Sequence, residues 1–113
     1  MAIVQPFRLD AVMLALEAIE GFGGMTVSNC RGFGREKVVE DREGRTPPQS
    51  AAVDFTDKCK LEIVAASRLI ADAIVDAIAR TAHTGNRGDG KIFSWLVSRA
   101  VRVRTFEEGF TAV

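Results

Sequence analysis

Between Thr84 and Phe93 the chain reads Thr-Gly-Asn-Arg-Gly-Asp-Gly-Lys-Ile-Phe, setting Gly85, Gly88, Gly90 and Lys91 close together. Glycines at this density let the backbone take positive φ, so that successive N–H groups can turn towards one anion. Lys91 adds a mobile full charge at the mouth of such a loop. Further on, Val101-Arg102-Val103-Arg104 sets two arginines at alternate positions as a second cationic pair. The chemistry on offer is anion binding. The same composition also serves simply to reverse a chain. The stretch lacks the strand-then-helix order and spacing of the Walker and dinucleotide fingerprints.

The elements that would position these groups follow from periodicity. Ala2 to Gln5 reads as a short strand closed by Pro6. Asp10 to Ile19 carries Val12, Leu16 and Ile19 at helical spacing, and Gly21 ends it. Met25 to Arg31 alternates as a strand, as does Lys58 to Ala65 with Leu61, Ile63 and Ala65 on one face. Ser67 to Ala82 predicts a second helix with Leu69, Ile70, Ala73, Ile74, Ala77 and Ile78 as its stripe. Asp76 and Arg80 fall one turn apart as a solvated ion pair, and His83 reads as a helix-end residue. Ile92–Leu96 and Arg99–Arg104 are expected to complete the strands, with Arg102 and Arg104 on the face opposite Val101 and Val103.

The predicted order, β-α-β, long loop, β-α-β, is an α+β arrangement. It matches a ferredoxin-like split sheet with both helices on one face, in a single domain over 1–113. The other face, carrying Thr26, Ser28 and Val64, is left without a cover, which points to oligomerisation. From Gly32 to about Ser50 periodicity disappears. A loop of roughly twenty polar residues inside a compact domain is a working interaction loop or a tolerated insertion.

Composition narrows the classes. Fifteen basic and fifteen acidic residues cancel, which argues against a nucleic-acid binder with its usual basic surplus. Cys30 and Cys59 lie far apart without a metal-ligand or redox spacing and read as free thiols. There is no basic-then-apolar leader and no apolar run of membrane-spanning length, so the chain is expected to be soluble and cytoplasmic. With one histidine and no Ser/His/Asp or Cys/His constellation, an enzyme is not expected.

Taken together, Gln5 to Asp10, Gly24 to Val27, Arg31-Gly32-Phe33-Gly34-Arg35-Glu36-Lys37, Val53 to Phe55, Lys58 to Val64, Thr84 to Phe93 and Arg102 to Thr105 resemble the P-II nitrogen-signalling proteins. The resemblance implies a homotrimer with ATP or ADP in clefts between subunits and Mg²⁺ accompanying ATP. It also implies a long loop, here 33–55, that docks on a transporter or a metabolic enzyme. Any membrane contact would then be indirect, through a transporter partner. By position it implies that Gly88, Asp89, Gly90 and Lys91 hold phosphates, with Arg102 and Arg104 reaching in from the adjacent subunit. Gly34 and Arg35 would approach from the loop base, and Thr26, Glu62 and Val64 would border adenine and ribose. Glu36, Lys37 and Lys58 fall where 2-oxoglutarate would bind, with Glu36 also at the Mg²⁺ position.

Departures from the family pattern qualify this. There is no tyrosine, so uridylylation of a loop tyrosine is impossible. Glu36 replaces a usual glutamine, Phe106 a usual glycine, and Pro47-Pro48 with an acidic run replaces the usual loop tip. Two rival readings are a regulator of a metal or bicarbonate transporter and a structural trimer with a vestigial nucleotide site.

Overall fold

The computed structural model describes residues 1–34 and 55–113. Its elements are β1 (Ala2–Val4), a short 3-10 turn (Pro6–Arg8), α1 (Leu9–Glu17), β2 (Thr26–Gly32), β3 (Thr56–Glu62), α2 (Arg68–Ala82), β4 (Gly90–Ile92) and a closing 3-10 turn (Gly109–Ala112). The four strands form one sheet in the order β2-β3-β1-β4, every neighbour antiparallel. This is the ferredoxin-like split sheet. Most of the predicted loop, residues 35–54, lies outside the described residues.

Strand alternation decides which side is buried. Ala2 stands opposite both Leu61 and Ile92, and Leu61 opposite Val27, so one row of side chains faces the helices. Ala2, Val4, Cys59 and Leu61 pack there against Val12 and Leu16 of α1 and Ile74, Ala77, Ile78 and Ala82 of α2. Leu16, Leu61, Val4 and Val12 are the largest fully buried side chains, each contributing roughly 1.5–3 kcal/mol by burial. Both cysteines are free thiols, Cys59 in the core and Cys30 half-buried.

α2 begins as its sequence predicts. Ser67 caps it, its hydroxyl accepting from the Ile70 N–H at 3.3 Å. Asp76 and Arg80 make the expected exposed ion pair, at 2.5 Å. The predicted stripe needs correction, because Leu69 is 82% exposed and Ala73 is also exposed. The buried line runs through Ile74, Ala77, Ile78 and Ala82, half a turn round from Leu69. At the other end Arg8 donates from Nε to the Thr81 carbonyl at 2.8 Å, and its second nitrogen donates there too. A helix leaves its last carbonyls without partners, and a cation there also suits the helix dipole. The exit of α2, and hence the start of the glycine loop, is thereby fixed.

The last strands are not formed as expected. β4 stops at Ile92, and of the predicted strand 99–104 only one bridge remains, Val101 to Glu108. Residues 100–109 instead close a tight hairpin, with Gly109 N–H donating to Ala100 O at 3.0 Å and Arg102 N–H to Glu107 O at 2.9 Å. Phe106 N–H donates to Arg102 O at 2.8 Å, with Phe106 at φ 61°. Holding a non-glycine residue there costs about 1–2 kcal/mol. Alternating residues make a strand only where a neighbour supplies the ladder, and among the described residues none does.

The open face also differs from expectation. By register it carries Thr26, Ser28, Cys30, Ile3, Lys58, Lys60, Glu62 and Lys91, so it is far more charged than its uncharged members suggest. Lys60 and Glu62, two positions apart along β3, pair on it at 3.7 Å. The main apolar exposure lies instead in the C-terminal segment, where Leu96 is 98% and Val103 88% exposed alongside Trp95, Val97, Phe106 and Phe110.

Candidate functional site

The glycine loop folds around its own carboxylate. Asp89 Oδ2 accepts from the N–H groups of Thr84 at 2.7 Å and Gly85 at 2.9 Å, while Oδ1 accepts from the Thr84 hydroxyl. Those two N–H groups are therefore used inside the loop. Asp89 acts as the pin of the loop, and His83 Nδ1, at 3.8 Å from it, stands at the helix end as expected. The Thr84 hydroxyl above all and then the Thr84 N–H hold the Asp89 carboxyl below its ordinary value of 3.8; desolvation opposes them, and the Gly85 N–H and the nearby His83 add smaller lowering effects.

The sign of the pH effect follows. A carboxyl whose pKa is depressed in the fold stabilises it fully above the ordinary value, and the effect is lost as pH falls through the depressed one. Asp89→Ala, which removes both acceptor oxygens, is expected to free the Thr84 and Gly85 amides at neutral pH and to abolish their acid-side change in protection. Hydrogen exchange followed by NMR at these two amides checks both. Unchanged protection in the variant would assign the loop's shape to its glycines alone.

A second tie comes from β3. Lys58 Nζ donates to Gly88 O at 2.5 Å, across thirty residues of sequence. A side chain added at Gly88 would meet Gln5 Nε2 at 3.1 Å and Lys58 Nζ at 3.3 Å. The loop thus lies over the ends of β1 and β3. Gly34 is exposed just beyond β2, beside the paired rings of Phe33 and Phe55 (6.4 Å between centroids), with the Arg31 guanidinium 5.7 Å from the Phe55 ring. These contacts brace the base of the long loop. Arg35, Glu36 and Lys37 lie outside the described residues.

The other expected residues gather elsewhere. Thr26, Glu62 and Val64 line one cleft of about 410 Å³ with Gly23, Gly24 and Met25, closed on one side by Ala112 and Val113. Arg102 belongs to this group, because it donates to the carbonyl of Thr111, the residue before Ala112, at 3.1 Å. Its other nitrogen pairs with Glu107 at 2.8 Å. Arg104 is exposed on the turn. One chain therefore holds two clusters, Lys58 with the Gly88–Lys91 loop and Thr26, Glu62, Val64 with Arg102. Lys58 and Glu62 are four residues apart on β3, roughly 13 Å at strand rise.

Thr84, Gln5, Glu107, Ala112 and Val113 were missed by sequence reasoning. Threonine and aspartate at the two ends of a glycine loop were a usable signal for the Thr84–Asp89 pin. Nothing local marks the other four. Among the described residues no group of three His, Cys, Asp or Glu side chains could hold a metal, and no helix is long and apolar enough to cross a membrane.

Comparison with known proteins decides the family. The sequence profile described as nitrogen regulatory protein P-II matches residues 1–107. The chain belongs to the P-II family. The nitrogen regulatory protein P-II of Haemophilus influenzae is 45% identical over 99% of this chain and 96% of its own length. That of Klebsiella oxytoca and the nitrogen regulatory protein P-II 1 of Escherichia coli K12 are each 46% identical over the same shares. Membership places the chain among nitrogen-regulatory signal-transduction proteins, and the split sheet is the fold that its P-II resemblance implied.

Proposed function

We propose that this P-II chain is an adenine-nucleotide sensor. Copies assemble as a homotrimer, ATP or ADP occupies the cleft between neighbours, and the loop 33–55 carries the nucleotide state to a target protein. One observation carries the reading: the two clusters of expected ligand residues stand at opposite ends of β3 in one chain. The Gly88–Lys91 loop would meet the phosphates from one copy. Thr26, Glu62, Val64, Arg102 and Arg104 would meet base, ribose and phosphates from the next. The chemistry suits the ligand, since arginine forks make the strongest charge-assisted contacts and Lys91 adds a point charge. The exposed apolar side chains of residues 93–110 supply an association surface. Calorimetric titration of ATP and of ADP, with light scattering for mass, tests the reading. A soluble monomer that binds neither nucleotide would overturn it.

Weak or absent 2-oxoglutarate binding belongs to the same proposal. Lys58, the expected partner of a carboxylate of 2-oxoglutarate, is bonded to Gly88 O. Glu36 adds a like charge, worth roughly 4 kcal/mol before screening at about 4 Å and an effective dielectric near 20. If Mg²⁺ accompanies ATP, the Glu36 carboxylate can serve it as an oxygen ligand. Titrating 2-oxoglutarate into Mg-ATP-saturated protein should give little heat, and Glu36→Gln should gain binding. Tight binding by the native chain would contradict this.

A further inference from the structure

The contact between Arg102 and Glu107 does more than close a turn. Arg102 spends both ends of its guanidinium inside its own chain, one on Glu107 Oε2 at 2.8 Å and the other on Thr111 O at 3.1 Å. Glu107 is set for that role. Its carboxylate accepts from the Thr105 hydroxyl at 3.0 Å, and its backbone carbonyl accepts the Arg102 N–H at 2.9 Å. Beyond it the chain continues through Glu108, held by Arg99 at 2.5 Å, to Ala112 and Val113, which wall the cleft of Thr26, Glu62 and Val64.

We propose that Glu107 is an internal stand-in for phosphate and that its pair with Arg102 latches the tail 109–113 over the cleft. This rests on the nucleotide reading above. A carboxylate presents two oxygens to an arginine fork much as a phosphate does, so the two compete for the same N–H groups. When a nucleotide phosphate takes Arg102, the guanidinium turns from Glu107 and gives up the Thr111 carbonyl with it. The tail is then released from its anchor, and the wall beside Thr26, Glu62 and Val64 opens. The pair is suited to displacement, because Arg102 and Glu107 are 36% and 46% exposed and exposed ion pairs are weak and screened by salt. A phosphate chain with several charges outcompetes one carboxylate there. Position of the tail thereby reports occupancy of Arg102.

The test uses the full chain, native and Glu107→Gln, which keeps the shape and removes the charge. ATP is titrated into each by calorimetry, and hydrogen exchange is followed at the amides of Gly109 to Val113 with and without ATP. The variant should bind ATP about threefold to fivefold more tightly, the range an exposed ion pair can hold back. Its tail amides should exchange faster before ATP is added, and those of the native chain should quicken when ATP binds. Equal or weaker ATP affinity in the variant would overturn the latch while leaving the nucleotide site in place. So would tail exchange that responds neither to the substitution nor to ATP. Absence of ATP binding by both chains would overturn the nucleotide reading itself, and the competition with it.

Discussion

Gly90→Ala is expected to cost the fold about 3 kcal/mol or more, from overpacking combined with backbone strain. Gly90 has φ 113°, and a Cβ there would lie 1.8 Å from Ile3 O, 2.8 Å from Ile3 C and 3.2 Å from Val4 Cα. All three obstacles are backbone, so no side chain can swing aside. Relief requires β4 to leave β1, which breaks the pairing of Ala2 with Ile92 and Ile3 with Lys91. Since Lys91 sits on β4, anion binding should fail with it. Chemical denaturation monitored by circular dichroism measures the loss. A variant as stable as the native chain would mean that β4 is not held in this register. Gly34, whose added Cβ would meet nothing within 4 Å, is the natural control, and Gly34→Ala should change stability little.

Arg102→Ala should weaken ATP binding by about 2 kcal/mol, near thirtyfold, the lower end of what truncating one partner of a charge pair costs. The lower end applies because Arg102 is a third exposed in the single chain. The phosphates lose a fork of donors, and no guanidinium is left to screen them from the Glu107 carboxylate. Calorimetry on native and variant protein checks the size. An unchanged affinity would return Arg102 to a purely structural role in its hairpin.

Much of the fold can be read from the residues alone, because it rests on local chemistry. Ser67 caps a helix that its apolar spacing had already marked, and the alternation of Met25 to Arg31 and Lys58 to Ala65 located β2 and β3 to within a few residues. The C-terminal strands were misread for a physical reason. Val101-Arg102-Val103-Arg104 has strand alternation but no neighbour within the described chain, so it folds back on Glu107 and Gly109 instead. Leu69 was placed on the buried stripe although helix geometry turns it outward.

The candidate site divides in the same way. Its residue types are visible in the sequence, since glycines, Lys91 and paired arginines announce anion binding. Their internal partners are not. Lys58 meets Gly88, and Arg102 meets Thr111, only through tertiary packing. The Asp89 carboxylate is used inside the loop, on Thr84 and Gly85. Which half of the site each residue joins depends on register along β3, which no local pattern specifies.

The central claim is that one nucleotide site is assembled from two copies, and mixing two defective chains tests it most directly. Lys91→Ala disables the glycine-loop half, and Arg102→Ala disables the cleft half. Each variant alone should bind ATP poorly. When the two are co-expressed in equal amounts and purified as mixed assemblies, some neighbours pair an intact Lys91 with an intact Arg102. For random mixing in a head-to-tail ring, about a quarter of the clefts should be whole. Calorimetry on the mixed protein is predicted to recover near-native ATP affinity at that reduced stoichiometry. Mixed assemblies that bind no better than either variant alone would contradict a site shared between copies.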